Sequence, residues 1–292
     1  MENKFRLLYL FLAIMIIVII GATVFSRAVV YFYNYSSNTL HVGVTMVSPE
    51  FELVYIIVGM LVVTGVLLVL IKYRLLKVLS LINIIFTFFL TYAFFSIAIM
   101  DMGAMAGVNI LTNSYAATVI TLMVYALPVL TTLYYVRYSG RSGRNLINII
   151  LFVAVGGFIA VYLNTEMLLI LLVFISLYDY ISVFITKHMI MLAKGAADMI
   201  MFSSISLMAK KRKLDSRRMM LGGGDLIFPA MFASRLSMSY PFPASLVVTA
   251  AAVVGLALIF VLGKKGKAYP AMAVIGPMQM AAFGLYILAT LL

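Results

Sequence analysis

The segment LGGGDLIFP, residues 221–229, joins three consecutive glycines to a single acidic residue, Asp225, inside an otherwise apolar run. Each glycine costs a helix about 1 kcal/mol relative to alanine. Gly222, Gly223 and Gly224 therefore predict a helix start that packs closely against a neighbour or departs from helical geometry. Ordinary small-residue packing is an alternative explanation when the glycines are considered alone. Their position directly before an acid in an apolar segment favours a functional interpretation.

The whole chain has the composition of a membrane protein. Of its 292 residues, 65% are hydrophobic and 10% are charged, and its mean hydropathy is +1.16. Soluble domains carry about 25% charged residues, so lipid is expected to be the main solvent of this chain. Basic cytoplasmic loops account for the net charge of +12, and no nucleic-acid partner is expected. The chain has no cysteine, which excludes disulfides, thiol catalysis and thiolate metal sites.

Runs of about 20 apolar residues predict an all-α protein with nine transmembrane helices. The predicted helices cover residues 7–25, 53–71, 78–100, 116–136, 146–163, 167–186, 219–236, 240–262 and 269–291. The first is too long for the apolar core of a signal peptide and is interpreted as a span. Segment 189–209 is interpreted as an interfacial or mobile loop helix, because Lys194 and Asp198 are spaced to pair on one face.

The basic residues predict the orientation of these helices. Nineteen of the 21 Lys and Arg residues fall in alternate termini and loops, beginning with the N-terminus, and Arg27 and Arg235 are the exceptions. The positive-inside rule therefore places the N-terminus in the cytoplasm and the C-terminus outside. One membrane domain in the cell membrane is expected. It would contain a six-helix half (1–186), a cytoplasmic loop (187–218) and a three-helix half (219–292).

Two acidic residues, Asp179 and Asp225, lie well inside the predicted spans. The other seven fall in termini, loops or helix ends: Glu2, Glu50, Glu52, Asp101, Glu166, Asp198 and Asp215. Asp179 lies eight residues before Lys187, and Asp225 lies seven after Arg218. On helical geometry, both are about 10–12 Å from the cytoplasmic boundary. The sequence therefore predicts that the two carboxylates, on helices of opposite direction, face each other.

Acids at membrane depth are costly, and their default interpretation is functional. A single one could be a buried polar contact between helices, but two at matching depth favour a shared role. Two carboxylates brought close share a proton and titrate as a pair. One can then act as a base toward water while the other acts as an acid toward a carbonyl.

Two further features accompany the acids. Tyr178, which precedes Asp179, is either an aromatic packing residue or a phenol that hydrogen-bonds near the site. The last span begins Tyr269-Pro270-Ala271-Met272. Proline in a first helical turn is ordinary. The functional alternative is an extended segment whose backbone receives a substrate strand.

Together these motifs resemble those of the presenilin and signal peptide peptidase family, most closely its prokaryotic homologues. Tyr178-Asp179 resembles the YD motif of the sixth helix, and Gly222-Gly223-Gly224-Asp225 resembles the GxGD motif of the seventh. Pro270-Ala271-Met272 resembles the PAL motif at the ninth helix, with methionine in place of leucine. The nine-span layout extends the resemblance over nearly the whole chain.

The resemblance implies an intramembrane aspartyl protease with Asp179 and Asp225 as the catalytic pair. It implies that the PAL-like segment shapes the site, and that transmembrane proteins or peptides are the substrates. It requires no metal, cofactor or covalent intermediate, and no obligate partner subunits are expected. A homo-oligomer remains open.

Other membrane chemistries fit the sequence less well. There is no H-E-x-x-H motif, and both histidines, His41 and His188, lie in predicted loops. The rival from another class is a proton-coupled transporter or channel that uses the two aspartates as a relay. Against it, the glycine run before Asp225 has no counterpart around Asp179, so no internal repeat is evident. A nonenzymatic scaffold is a third alternative.

Overall fold

The computed structural model describes residues 2–40, 49–73, 75–105, 114–138, 140–185, 204–208, 218–263 and 269–291. These residues form nine α-helices and two short strands. The helices are α1 (Glu2–Leu40), α2 (Pro49–Lys72), α3 (Leu76–Met105), α4 (Ser114–Leu133), α5 (Arg141–Tyr162), α6 (Thr165–Tyr180), α7 (Gly224–Ser239), α8 (Phe242–Leu262) and α9 (Met272–Leu291). The strands are β1 (Ser204–Met208) and β2 (Arg218–Gly222). π-Helical turns at Tyr134–Tyr138 and Ile181–Ile185 continue α4 and α6.

The all-α prediction is confirmed, and each of the nine predicted spans coincides with one of these helices. Among the described residues, seven helices are long and apolar enough to cross a membrane; α2 and α7 are the other two. The chain is therefore a multi-pass membrane protein. The exact number of crossings and the sides on which the termini lie stay predictions.

The predicted start of the seventh helix at residue 219 is wrong. Residues Arg218–Gly222 form a strand, and α7 begins only at Gly224. The adjoining glycines explain the difference, because they lower helix propensity and leave the backbone free to pair as a strand. The helical depth estimate for Asp225 therefore does not apply, since most of the chain between Arg218 and Asp225 rises as a strand.

The loop-helix interpretation of 189–209 is also wrong for part of its length. Residues Ser204–Met208 form β1, and residues 189–203 lie outside the described residues. β1 pairs antiparallel with β2, and Ile205 is the partner of Leu221. Both of these side chains are buried in the main hydrophobic core. This pair anchors the small sheet at the end where α7 begins.

The main core lies among α1 and α5 to α9. Its buried apolar side chains come from these helices and from the two strands, and its buried members include none from α2, α3 or α4. Helix α7 lies within this group, in contact with α1, α5, α6, α8 and α9. The acidic residue of the glycine-rich segment is therefore carried by a central helix of the fold.

Candidate active site

Asp179 lies near the end of α6 and contacts the start of α9. Its Oδ2 atom accepts a hydrogen bond from the backbone N–H of Met272 at 2.9 Å, and the N–H of Ala273 also donates to this carboxylate. The first N–H groups of a helix have no partner within it and carry partial positive charge. Asp179 therefore caps α9 from a different helix, and α9 fixes the position of the carboxylate.

The PAL-like segment places these N–H groups beside Asp179. Tyr269 to Ala271 are not helical, and α9 begins at Met272. The carbonyl of Ala271 accepts from the N–H groups of Val274 and Ile275 at 3.1 and 3.0 Å. The interpretation of Pro270 as part of the first helical turn is therefore wrong. The proline lies two residues before α9, in the non-helical part of the segment.

Asp225 lies in the first turn of α7, directly after the turn that ends β2. The carbonyl of Gly223 accepts from the N–H groups of Leu226 and Ile227 at 3.1 and 2.9 Å, which starts the helix. The backbone of Gly222 hydrogen-bonds to the carboxylate of Asp225. A Cβ added at Gly222 would lie 3.0 Å from Asp225 Oδ2. An alanine at this position would therefore require the Asp225 carboxylate to shift by a few tenths of an ångström.

The structure brings the two aspartates together. Their carboxylates lie close enough to repel each other when both are ionised, and both residues are half-buried. They come from opposite ends of two different helices. Asp179 lies at the C-terminal end of α6, whereas Asp225 lies in the first turn of α7. Because two backbone N–H groups bind the Asp179 carboxylate and one binds that of Asp225, the pair is preorganised rather than formed by two free side chains.

A close contact between α6 and α9 supports this geometry. Ser176 lies one turn before Asp179, and its hydroxyl is 2.6 Å from the carbonyl of Leu172 and 3.0 Å from that of Met272. A Cβ added at Gly276 would collide with the Ser176 hydroxyl oxygen. Ser176 and Gly276 therefore determine how closely α6 and α9 pack. This spacing also sets the distance from the Asp179 carboxylate to the start of α9.

A buried glutamine ties α9 to α7 and α8. Gln279 is fully buried, and its Nε2 donates to the carbonyls of Pro229 and Val248 at 3.3 Å each. Pro229 lies one turn after Asp225 and has no N–H to donate to the Asp225 carbonyl. Gln279 therefore holds α7 at Pro229, the residue where the backbone hydrogen bonds of α7 are interrupted.

The remaining predicted site residues flank the pair. Tyr178 is half-buried, and its ring stacks with Phe174 at a centroid distance of 6.4 Å. Gly223 is the residue before α7, and a Cβ added at Gly224 would touch the ring of Phe228 at 3.4 Å. The described part of the chain contains no group of three or more metal-ligating side chains, and both histidines lie outside it.

Three supporting residues were not identified from the sequence: Ser176, Gly276 and Gln279. Each of them has a feature in the sequence that could have indicated its role. Ser176 lies on the same helical face as Asp179 at a spacing of three, and Gly276 lies one turn after Met272. Gln279 is a lone amide in an apolar helix, and such residues often bond between helices in membranes.

Comparisons with known proteins show similarity in fold. No family model matches the sequence, and no curated protein matches it. Among solved structures, a presenilin family intramembrane aspartate protease in space group C222 superposes with a TM-score of 0.63 at 20% identity, covering 95% of this chain and 97% of that one. A structure of a presenilin family intramembrane aspartate protease in space group P2 gives 0.60 at 18% identity, covering 95% and 96%.

Both likenesses extend over nearly the full length of each chain, so they concern the whole architecture and not one helix pair. At these identities they establish the fold, while the chemistry depends on the residues of this chain. The chain is a multi-pass membrane protein with a presenilin-like fold.

Proposed function

We propose that this protein is an intramembrane aspartyl protease of the cell membrane, which hydrolyses peptide bonds of transmembrane substrates with Asp179 and Asp225. The observation that carries the proposal is the proximity of these two carboxylates, each of which accepts a backbone hydrogen bond. The presenilin-like fold supports it. A merely structural buried acid would need one partner, whereas two facing acids oppose each other and require a reason to be together.

In the proposed reaction, the two aspartates share one proton. The ionised carboxylate takes a proton from a water molecule, and the water oxygen attacks the carbonyl carbon of the bond to be cut. The protonated carboxyl donates to the carbonyl oxygen and stabilises the tetrahedral gem-diol. Collapse of this intermediate breaks the C–N bond: the aspartate that took the water proton gives it to the leaving nitrogen, and one gem-diol hydroxyl returns its proton to the other aspartate as the carboxylic acid product forms. No covalent enzyme intermediate and no metal are required.

The substrate must also leave its helical conformation, because a helix hides its carbonyl groups in hydrogen bonds. Unpaired backbone in lipid is costly, so the enzyme needs to supply strand-like partners. Strand β2 leads directly into Asp225 and belongs to a sheet that has two strands among the described residues. A further strand added to this sheet would place an unwound substrate backbone beside the carboxylates.

The test is cleavage of a reporter transmembrane peptide by the purified protein. Asp179→Asn and Asp225→Asn are each expected to lower cleavage by about 10²–10⁴-fold, because asparagine cannot exchange the proton. Glu166→Gln is the matched control. This acid lies on α6 like Asp179, but in its exposed first turn, and cleavage is expected to stay at the wild-type level.

Products are identified by mass spectrometry, and each variant is checked for folding by thermal unfolding in detergent. Cleavage by the isolated wild-type chain would also support the expectation that no partner subunit is required. Equal cleavage by all variants would refute the aspartate pair as the catalyst. A wild-type protein that cuts none of a varied set of peptides, but moves protons in vesicles, would favour the transporter alternative.

The predicted orientation adds a proposal about substrates. With the N-terminus in the cytoplasm, substrates are expected to enter with their own N-terminus outside, because such a site cuts one chain direction. A reporter pair that carries the same segment in both orientations tests this. Preferential cutting of the segment with a cytoplasmic N-terminus would contradict it.

A further inference from the structure

Arg235 is a basic residue on the central helix α7, and the proposed mechanism does not use it. It lies in α7, ten residues after Asp225 and four before the last residue, Ser239. Its side chain is half-buried, and its buried Nε has no hydrogen-bond partner among the described residues. Buried polar atoms normally have partners, and a cation in a predicted membrane span, here the seventh, marks a functional site by default. The unused donor therefore calls for an acceptor from outside the described chain.

The position of Arg235 on α7 indicates where that acceptor would come from. Gly224, Phe228 and Arg235 follow each other at spacings of four and seven, which places them on one side of the helix. All three are half-buried. The opposite side is fully buried and consists of Leu226, Ala230, Ala233 and Ser237. Arg235 therefore lies on the less covered side of α7, the side that Gly224 and Phe228 share beside Asp225.

The other arginine near this end of α7 already has a partner. Nη2 of Arg27, on α1, donates to the carbonyl of Ser237 at 3.0 Å. This bond engages the carbonyl of a residue in the last turn of α7, where positive charge is favourable. Arg27 therefore has a structural role at the helix end, whereas Arg235 has a donor along the helix side that no described residue accepts from.

We propose that Arg235 is a specificity-determining residue that binds an acidic side chain of the substrate, on the part of the substrate toward the outer leaflet. This inference rests on the proposed protease function. A guanidinium binds a carboxylate through two parallel hydrogen bonds, which are strong where water is scarce. The axial distance from Asp225 is about 15 Å. That length corresponds to about ten helical or five extended residues between the acid and the cleaved bond.

An anionic lipid headgroup is the competing source of a negative group. Helix α7 ends four residues beyond Arg235, and long basic side chains reach toward the interface from such positions. The burial of Nε favours the substrate, because a guanidinium that extends to headgroups would expose this atom. The experiment needs to separate the two sources.

The test uses one reporter peptide in which a single Asp is moved through the positions from four to eleven residues before the cleaved bond, each paired with an Asn peptide. Wild type is expected to cut the Asp peptide about tenfold better in kcat/KM at one position, equivalent to about 1.4 kcal/mol. Arg235→Gln is expected to bring this ratio to about one. Arg235→Glu is expected to reverse it, so that a Lys peptide is preferred at the same position.

Arg27→Gln is the matched control, because it also removes one arginine from the outer end of the same helix bundle. Its Asp-to-Asn ratio is expected to equal that of wild type. The assays are run in vesicles of phosphatidylcholine and again with added phosphatidylglycerol. A substrate site gives the same ratio in both membranes.

Three outcomes would overturn the inference. Wild type could cut Asp and Asn peptides equally at every position, while both aspartate variants remain inactive; the protease function would then stand without this site. Arg235→Gln could keep the Asp preference. The Arg235→Gln variant could also lower cleavage of the Asp and Asn peptides equally, and only with phosphatidylglycerol present. Arg235 would then bind an anionic lipid headgroup and not the substrate. A wild type that cuts no peptide contradicts the proposed function itself.

Discussion

Helix α7 is surrounded by other helices, whereas α2 lies at the edge of the molecule. Five helices contact α7, and most of its residues from Leu226 to Ser237 are buried. Helix α2 packs lightly against α3 and α6. Its valines are largely exposed, and Val62 has an exposed fraction of 57%. Two apolar helices of one chain thus have opposite surroundings.

Their sequences explain this difference. Helix α2 is apolar on every side and offers no distinct face to a neighbour. Helix α7 carries small residues and hydroxyl groups, and these make contacts. Ser234 Oγ lies 3.4 Å from Thr23 Oγ1 on α1, and the carbonyl of Ala233 accepts from Ser245 on α8 at 2.9 Å.

Lipid chains are as apolar as leucine, so hydrophobicity alone does not draw helices together in a membrane. Small residues that allow close approach, and polar groups that bond between helices, decide which helices become central. The comparison teaches that the active-site region is the part of this chain where these two kinds of residue concentrate. Three substitutions in the active-site region test that conclusion, and two of them are paired with the same change at a glycine of α2.

Gly276→Val is expected to have the largest effect. A side chain at this position collides with Ser176 and forces α6 away from α9. Overpacking of this kind costs about 1–3 kcal/mol. It would also displace Asp179 from its donors, so cleavage is expected to fall about 100-fold. Thermal unfolding in detergent and reporter cleavage measure the two effects.

Gly59→Val in α2 is the matched control, because no atom of the described residues lies within 4 Å of a Cβ at that position. Its unfolding temperature and cleavage rate are expected to stay near those of wild type. If both valines lowered stability equally, the difference between the central and peripheral helices would not hold.

Gly222→Ala is expected to have an intermediate effect, confined to activity. The added methyl group would lie 3.0 Å from Asp225 Oδ2, so the carboxylate must shift by a few tenths of an ångström. We expect cleavage to fall roughly tenfold, since small misplacements of reacting groups are costly. Gly65→Ala in α2 serves as control, because a Cβ there meets no atom within 4 Å in the part of the chain that the structure describes. Full activity of Gly222→Ala would show that Asp225 does not need this close backbone contact.

Met272→Pro is expected to have the smallest effect of the three. Proline is well accepted at the first position of a helix, but it removes the N–H that donates to Asp179. Loss of one hydrogen bond to a charged group costs about 1.5–3 kcal/mol at most. Because Ala273 also donates to Asp179, we expect cleavage to fall only severalfold.

Met272→Leu is the control for this change, because it keeps the N–H and a similar apolar volume. It is expected to cleave like wild type. Equal losses in the proline and leucine variants would assign the effect to the side chain and remove the backbone bond from the site.

Composition and hydrophobic runs were sufficient to predict the membrane class and all nine helices. Most predicted boundaries fall within a few residues of the observed ones, because apolar length is a local property of the chain. The largest difference is at the first helix, which extends to Leu40 although the apolar run ends at about residue 25. A polar segment can continue a helix outside the bilayer, and hydropathy does not report it.

The two aspartates could be selected from the sequence because an acid in an apolar run is rare whatever its partners are. The residues that hold the two aspartates in place could not be identified in this way. That Ser176 meets Gly276, or that Gln279 bonds to Pro229, depends on the packing of helices far apart in the chain. The strand at Arg218–Gly222 also escaped prediction, because its partner Ser204–Met208 lies beyond a long connection.

The sequence by itself determined that lipid surrounds this protein, where its helices lie, and which two acidic residues fall inside apolar segments. Each of these follows from residues that are close along the chain. Tertiary structure alone decided that Asp179 caps α9, that Gly222 bonds to Asp225, and that the side of α7 bearing Arg235 is the less covered one. The physical reason is that these contacts join groups which local geometry cannot bring together. In lipid, their positions follow from close packing and interhelical hydrogen bonds rather than from hydrophobicity.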